Sequence, residues 1–336
     1  MEEVVVEDLF DRLPDSLIFI IFNSVSDVKT LIRCRSVSKR FNSLVPETES
    51  LSLRVDRVIS SSTFFDDDDS SPFLDFFKSI VQSIQGLLNF DLGDDDEETD
   101  VQNCYSPGQI LSGFERIRRL EIELPSGDLQ MEKGVLVKWR AEFGTTLKNC
   151  VILGFRIGNS DEDSDSDLDL EQGMKTVVVW TISALIAASA RHYLLRDVVA
   201  EGMERLVLKD AEGEGTLVME EDGLREWSRS AAAEAEVEVG GGGDGGWEGR
   251  RTVLPSVRMR MRHQRKLRLE SGAWIQSATL VVVRPSSGGG SDDVAVEEEE
   301  KGDGEMAMAA YGGGAYEDVV GALLKTRSYS LEMNSF

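Results

Sequence analysis

Apolar residues recur at helical spacing near the start of the chain, over the stretch 13–44. Four of them share one face of the first predicted helix: Leu17, Ile20, Ile21 and Val25. Pro14 precedes this face and fits the first turn of a helix, where its missing N–H would have no partner in any case. Ser26-Asp27 and Ser36 provide caps for a second and a third helix. The pattern therefore predicts three short helices.

These helices have more apolar surface than they can bury among themselves. A unit of about 40 residues is too small to be stable without a metal, a disulfide or a partner. The stretch 13–44 contains neither a metal-ligand cluster nor a cysteine pair. The surplus apolar surface therefore predicts docking with a helical partner, in the manner of a helix in a groove.

The spacing changes from helical to alternating after residue 106. The ranges 118–124, 135–143 and 147–157 predict strands, and their short connections predict an antiparallel meander. The apolar residues that follow predict a long buried helix over 177–199. Further along, the pattern predicts a hairpin over 205–209 and 216–219, a short helix over 222–230, a flexible linker over 231–249, and strands over 252–261 and 274–284.

Composition divides the chain into parts: a three-helix module over 1–50, a helical linker region with acidic loops over 51–105, an α+β domain over 106–285, a disordered acidic and Gly-rich linker over 286–314, and a C-terminal helix and tail over 315–336. Helix is expected to continue over 47–62 and to return over 73–90, and 159–171 is expected to be an acidic loop. The fold class is α+β, with a mostly antiparallel sheet and one long buried helix.

The formal net charge of −26 argues against a general nucleic-acid binder, because phosphate contacts need clustered cations. Three cysteines without a close pair indicate a reducing compartment. The acidic N-terminus lacks the basic segment of a secretory signal. The longest apolar run, 176–190, has 15 residues, whereas a bilayer span needs about 20. We therefore expect no nucleic-acid partner, no membrane association, and a location in the nucleus or the cytoplasm.

Candidate catalytic chemistry is sparse. The two histidines, His192 and His263, do not lie at metal-ligand spacing. Acidic residues occur mostly in runs, as solvated charge does. We therefore expect no catalytic residues, no metal and no cofactor. The alternative is an enzyme that uses one of these histidines.

A local reversal of charge is formed by Arg258, Arg260, Arg262, Arg265, Lys266 and Arg268. These residues could hold an anionic ligand, such as a phosphorylated or acidic segment of a substrate, since Arg matches phosphate bidentately. They could equally neutralise acidic stretches of the same chain. Both interpretations remain open.

The N-terminal module resembles the F-box in Leu13-Pro14, Leu17, Ile21-Phe22, Val25, Leu31, Val37, Lys39-Arg40-Phe41 and Leu44. Ser38 and Phe41 depart from the commonest form, in which a cysteine and a tryptophan are frequent. The resemblance implies docking on a Skp-type adaptor and, through it, on a cullin. It implies these adaptor-binding residues: Leu13, Pro14, Leu17, Ile18, Ile21, Phe22, Val25, Leu31, Val37 and Phe41.

Further blocks, at 27–44, 110–118, 138–152, 179–197, 279–285 and 331–336, resemble the plant family of auxin up-regulated F-box proteins. The resemblance implies a non-catalytic substrate receptor of a ubiquitin ligase, in auxin-responsive or cytokinin-responsive plant growth, with an unknown protein target. Two alternatives for the helical module remain. It could be a cap on the core, or a DNA-binding module that uses Lys29, Arg33, Arg35, Lys39 and Arg40.

Overall fold

The computed structural model describes residues 9–54, 111, 113–124, 134–157, 170–195, 198–199, 202–238, 254–269, 272, 274–286, 293–314 and 316–334. The α-helices in these ranges are α1 (Asp15–Val25), α2 (Val28–Arg35), α3 (Lys39–Leu44), α4 (Leu170–Leu194), α5 (Glu221–Glu238), α6 (Asp293–Tyr311) and α7 (Glu317–Leu324). The strands are β1 (Ser50–Arg54), β2 (Arg119–Leu124), β3 (Val135–Phe143), β4 (Leu147–Ile157), β5 (Arg205–Asp210), β6 (Gly215–Glu220), β7 (Val257–Arg268), β8 (Trp274–Pro285) and β9 (Ser328–Met333). The expected α+β class is confirmed.

The three predicted N-terminal helices are present, and local capping explains their bounds. Ser26, in the left-handed region at φ 50°, ends α1. The Asp27 side chain accepts a hydrogen bond from the Thr30 backbone N–H at 2.8 Å and caps α2. The Thr30 hydroxyl also donates to this carboxylate and lowers the pKa of Asp27. Ser38, rather than the predicted Ser36, caps α3 by accepting from the Phe41 N–H.

All nine described strands form one sheet, in the order β1-β2-β5-β6-β3-β4-β8-β7-β9. The pairs β1-β2, β2-β5 and β3-β6 are parallel. The pairs β3-β4, β4-β8, β5-β6, β7-β8 and β7-β9 are antiparallel. Antiparallel pairing therefore predominates, as predicted, within a mixed sheet.

The predicted meander is only half right. The hairpin of β3 and β4 is present, but β2 lies between β1 and β5 and does not pair with β3. The hairpin of β5 and β6, which comes later in the chain, is inserted between them. Closeness in sequence favours pairing but does not decide it, since about one consecutive pair in three is separated in space.

The expected helix over 47–62 is wrong for 50–54, where the chain forms β1. Leu51 and Leu53 alternate into the core, while the intervening serines are only partly buried. The Asn23 Oδ1 atom of α1 accepts hydrogen bonds from the backbone N–H groups of Glu49, at 2.9 Å, and of Ser50, at 3.0 Å. The expected boundary at residue 50 therefore falls inside a strand that joins the helical module to the sheet.

Two hydrophobic clusters cover the sheet. The larger cluster contains α4 and the buried side chains of the N-terminal helices together with β1, while α6 and α7 pack in the smaller cluster with β4 and β8. The predicted long buried helix is α4, in which Leu185 and Ala188 are fully buried. Gly154 on β4 lets α4 approach, because a Cβ there would lie 2.6 Å from the Trp180 ring.

Three expectations for the C-terminal half are corrected. The disordered linker expected over 286–314 is wrong for 293–311, which form α6 with Ala307 fully buried. The flexible linker expected from 231 begins later, since α5 extends to Glu238. The expected tail contains β9, which pairs with β7.

The helix predicted over 73–90 and most of the loop at 159–171 lie outside the described residues. Within the described helices, none is long and apolar enough to cross a membrane.

A buried ion pair ties the end of α4 to the hairpin of β5 and β6. Arg191 Nη2 lies 2.7 Å from Asp210 Oδ1, and both side chains are 4% exposed. The other Asp210 oxygen accepts the Gly215 N–H at 2.8 Å. The Arg191 guanidinium also lies 4.8 Å from the ring centroid of Trp139 on β3. The Arg191–Asp210 pair and its neighbours therefore connect α4, the hairpin of β5 and β6, and β3.

We expect Asp210→Ala to lower the free energy of unfolding by about 3–5 kcal/mol, because it leaves the Arg191 charge buried without its counter-ion. Urea denaturation followed by circular dichroism measures this loss. The matched control is Arg225→Ala, which removes an exposed pair with Glu221 and is expected to cost less than about 1 kcal/mol. Equal losses in the two variants would contradict the assigned role of the buried pair.

Candidate functional site: an exposed apolar face on the N-terminal helices

The face predicted on α1 is present and exposed. Its four side chains retain 45% (Leu17), 59% (Ile20), 41% (Ile21) and 38% (Val25) of their accessible surface. Other large apolar residues of the helical module are also exposed, namely Phe10, Ile32 and Val37. Clusters of exposed apolar side chains on a soluble helical module mark interaction surfaces.

Three of the ten predicted adaptor-binding residues belong to the core instead. Ile18 and Phe22 are 1% and 3% exposed, and Leu31 is fully buried. They lie in the same hydrophobic cluster as Leu51 and Leu53 of β1. Their apolar character is explained by folding, and they cannot contact a partner in this conformation. The correction follows from helix geometry, since Ile18 and Phe22 are rotated by about 100° from Leu17 and Ile21.

The remaining candidates lie at or near the exposed face. Pro14, like Val37, is exposed, whereas Leu13 and Phe41 are half-buried. The Phe41 ring makes edge contacts with Phe22, at 5.2 Å between centroids, and with Phe10, at 5.8 Å. Phe41 thus links the core to the exposed face.

The candidate list missed Phe10, Ile20 and Ile32. Ile20 was on the predicted face, and the helical period alone was sufficient to include it. Phe10 lies in a 3-10 turn, Leu9–Arg12, that precedes α1. No periodic signal marks so short an element, so only the structure identifies Phe10.

Arg40 of α3 holds the start of this face in place. Its Nε donates to Asp15 Oδ1 at 2.7 Å, and its terminal nitrogens donate to the carbonyl oxygens of Phe10 and Leu13. Arg40 was a candidate for DNA contact, and here its guanidinium fixes the segment that leads into α1. The structure therefore gives this cation an internal role.

Comparison with known proteins agrees with this geometry. Residues 10–57 match the F-box-like family model. The chain is 48% identical to the F-box protein AUF1 of Arabidopsis thaliana, over 98% of this chain and 100% of the relative. It is 47% identical to the F-box protein AUF2 of the same plant, with the same coverage. The chain belongs to the auxin up-regulated F-box protein family. No solved structure gave a significant match.

The F-box implies binding to a Skp-type adaptor and a role as a substrate adaptor of a ubiquitin ligase. F-box proteins are in general adaptors rather than catalysts. Within this F-box, the exposed apolar face on α1 is the surface with the composition that helix-in-groove docking requires.

The basic strand of this F-box protein is largely engaged by its own carboxylates. Arg258 pairs with Glu299 of α6 at 3.1 Å and with Glu332 of β9 at 3.0 Å. Arg260 donates to Asp303 of α6 at 2.7 Å. Arg262 lies 3.8 Å from Glu300 and donates to the carbonyl oxygens of Leu324, the last residue of α7, and of Thr326.

The basic strand was expected either to hold an anionic ligand or to neutralise acidic stretches of the same chain. The second interpretation is correct for Arg258, Arg260 and Arg262. The remaining three cations, Arg265, Lys266 and Arg268, are exposed at the far end of β7. The Arg268 guanidinium lies 5.8 Å from the ring centroid of Trp274. Thus Arg258, Arg260 and Arg262 are paired with carboxylate or carbonyl oxygens of this chain, and the other three cations lie at the surface.

His192 packs against aromatic rings of the core, and His263 contacts a neighbouring hydroxyl group. His192 is fully buried, stacked on Phe143 and in edge contact with Trp227, each at 4.4 Å between centroids. His263 Nδ1 lies 2.8 Å from the Thr279 hydroxyl, and burial, with a smaller effect of Arg265, lowers the pKa of His263. Among the described residues, no group of three His, Cys, Asp or Glu side chains could hold a metal ion.

Adjacent residues on α1 provide a test of the assignment of core and face. We expect Ile18→Ala to destabilise the protein by about 2–5 kcal/mol, because it opens a cavity in the shared core. Leu17→Ala removes an exposed side chain, and we expect a change within about 0.5 kcal/mol. Thermal unfolding of the two variants, compared with the wild type, measures both. A large loss in Leu17→Ala would show that this side chain belongs to the core.

Proposed function

We propose that this protein is the substrate-recognition subunit of a Skp-cullin-F-box ubiquitin ligase. The F-box binds a Skp-type adaptor, and through it a cullin, while the sheet domain recruits a target protein for ubiquitination. The observation that carries this proposal is the exposed face of Leu17, Ile20, Ile21 and Val25 on a helix whose opposite side is buried in the sheet domain. Family membership supports the same assignment.

The proposed mechanism is proximity, and the chain itself supplies no chemical step. Holding a target next to the loaded conjugating enzyme raises the effective concentration of its lysines. The Asn23 hydrogen bonds to residues 49 and 50 and the shared core restrict rotation of the F-box against the sheet. A rigid joint of this kind keeps a bound target at a fixed position relative to the adaptor.

We further propose that the protein acts in auxin-responsive or cytokinin-responsive growth of a plant. The support is the family, which is named for its up-regulation by auxin and in which two relatives share nearly half of their residues with this chain. The family name does not identify a target. Identification of proteins that accumulate when the chain is removed from a hormone-treated plant tests this proposal.

We expect the wild-type chain to bind a purified plant Skp-type adaptor, and the double variant Leu17→Ala, Ile21→Ala to bind it about a hundredfold to ten-thousandfold more weakly. The reason is that each buried aliphatic anchor contributes about 1.5–3 kcal/mol. Isothermal titration calorimetry measures both affinities. Circular dichroism of the double variant checks that its fold is intact.

The matched control is Ile157→Ala, which removes an aliphatic side chain that is 64% exposed at the end of β4, outside the F-box. This variant should bind the adaptor with wild-type affinity. A wild-type protein without affinity for the adaptor would overturn the proposed function. Equal weakening by the control and by the double variant would show that the face on α1 is not the docking surface.

A further inference from the structure

A cavity of ≈ 310 Å³ lies between the sheet and the loop that joins α6 to α7. Lys138 and Arg140 of β3 and Thr216 of β6 form part of its wall, and Tyr311, Tyr316 and the loop glycines 312–314 form another part. Small-molecule sites in proteins begin at about 300 Å³. The cavity therefore has room for one small compound or one side chain of a partner.

The wall of this cavity carries positive charge, although the chain as a whole has a net charge of −26. Among the described residues that line the cavity, two are cationic, Lys138 and Arg140, and none carries a carboxylate. A second cavity, of ≈ 240 Å³ beside Arg258 and Arg260, contains Glu299 and Asp303 in its own wall. The cavity beside Arg258 thus has carboxylates in its own wall, whereas the described lining of the cavity at Arg140 has none.

Arg140 is the cation of this wall for which the described lining residues provide no carboxylate. Its side chain is half-buried, and within the part of the chain that the structure describes it has no recorded hydrogen bond or ion pair. A guanidinium offers five donors in a planar fork that matches a carboxylate or a phosphate. The nitrogens of Arg140 are not among the buried side-chain atoms that lack a partner. An anion that enters the cavity can therefore accept hydrogen bonds from them without breaking an existing one.

Lys138 is held in position beside Arg140. Its ammonium donates to the carbonyl oxygens of Glu212 and Gly213, each at 2.9 Å, and lies 5.3 Å from the ring centroid of Tyr316. Lys138 and Arg140 are two residues apart on a strand and so point to the same side of the sheet. Lys138 is thus bonded to backbone carbonyls and interacts electrostatically with Glu214, while Arg140 keeps its donors available.

The remaining wall is aromatic. The rings of Tyr311 and Tyr316 are in edge contact, with centroids 6.4 Å apart. The Tyr311 hydroxyl donates to the Val151 carbonyl oxygen at 3.2 Å, so its ring is fixed. Flat apolar groups pack well against such rings. The cavity therefore combines one available cationic fork with an aromatic wall.

We propose that this cavity binds a small organic anion, a phosphate on a flat ring, with Arg140 as the anion-binding residue. The anion belongs either to a free compound or to one side chain of a bound protein. Arg140 makes charge-assisted hydrogen bonds to it, and Tyr316 packs against the ring. This site does not depend on adaptor docking, since it uses β3, β6 and the α6–α7 loop rather than the F-box.

The test is a calorimetric titration of the full chain with phenyl phosphate, with inorganic phosphate, and with a short peptide that contains phosphotyrosine. We expect saturable binding of at least one ring-bearing probe. We expect Arg140→Met to weaken it by about tenfold to a hundredfold, the loss typical of hydrogen bonds to a charged group. The control Arg265→Met removes an exposed cation of β7 and should leave the affinity unchanged.

A second variant, Gly314→Phe, tests the cavity without removing charge. Gly314 lines the cavity, and a Cβ there meets no atom within 4 Å. We therefore expect the larger side chain to narrow the cavity and weaken binding, while thermal unfolding stays as in the wild type. Binding of phenyl phosphate supports a free compound as the ligand, and binding of the peptide alone supports a partner side chain. Absence of binding for both, or equal affinity in wild type and Arg140→Met, would overturn the proposal. Adaptor binding of the same samples reports on the F-box separately.

Discussion

The contact between the F-box helices and β1 is the constraint on which the arrangement of this molecule depends. Ile18, Phe22 and Leu31 occupy one hydrophobic cluster with Leu51 and Leu53 of β1. This contact buries apolar surface of a three-helix unit that is too small to fold alone, and so stabilises it. It also decides which apolar residues remain outside for a partner, because the side of α1 that faces the sheet is no longer available.

Ion pairs with buried carboxylates connect helices to strands on the two faces of the sheet. Arg191 and Asp210 join α4 to a hairpin, and Arg260 and Arg284 enclose Asp303 of α6, with contacts of 2.7 and 2.6 Å. Such pairs add little net stability but penalise other arrangements strongly, since either charge alone would be costly to bury. They therefore specify how the helices sit on the sheet.

The Glu-rich sequence of α6 shows why composition misled the prediction at this point. Glycine and glutamate in 286–310 are typical of disorder. In the fold, however, Glu299 and Asp303 face the arginines of β7 across the layer, and Ala307 packs on the smaller hydrophobic cluster. The basic strand and the acidic helix are about 40 residues apart, so a local pattern in either one cannot reveal that they neutralise each other.

The sequence by itself determined the three N-terminal helices, most of the strands, the buried helix α4 and the family. Period and capping are local, so Leu17 and Ile21 were recognisable as one face, and Asp27 as a cap. Only the tertiary structure decided that Ile18 and Phe22 face inward, that β1 joins the F-box to the sheet, and that Arg140 lines a cavity whose described wall has no carboxylate. These properties depend on strand order and on contacts between distant segments, which local spacing does not encode.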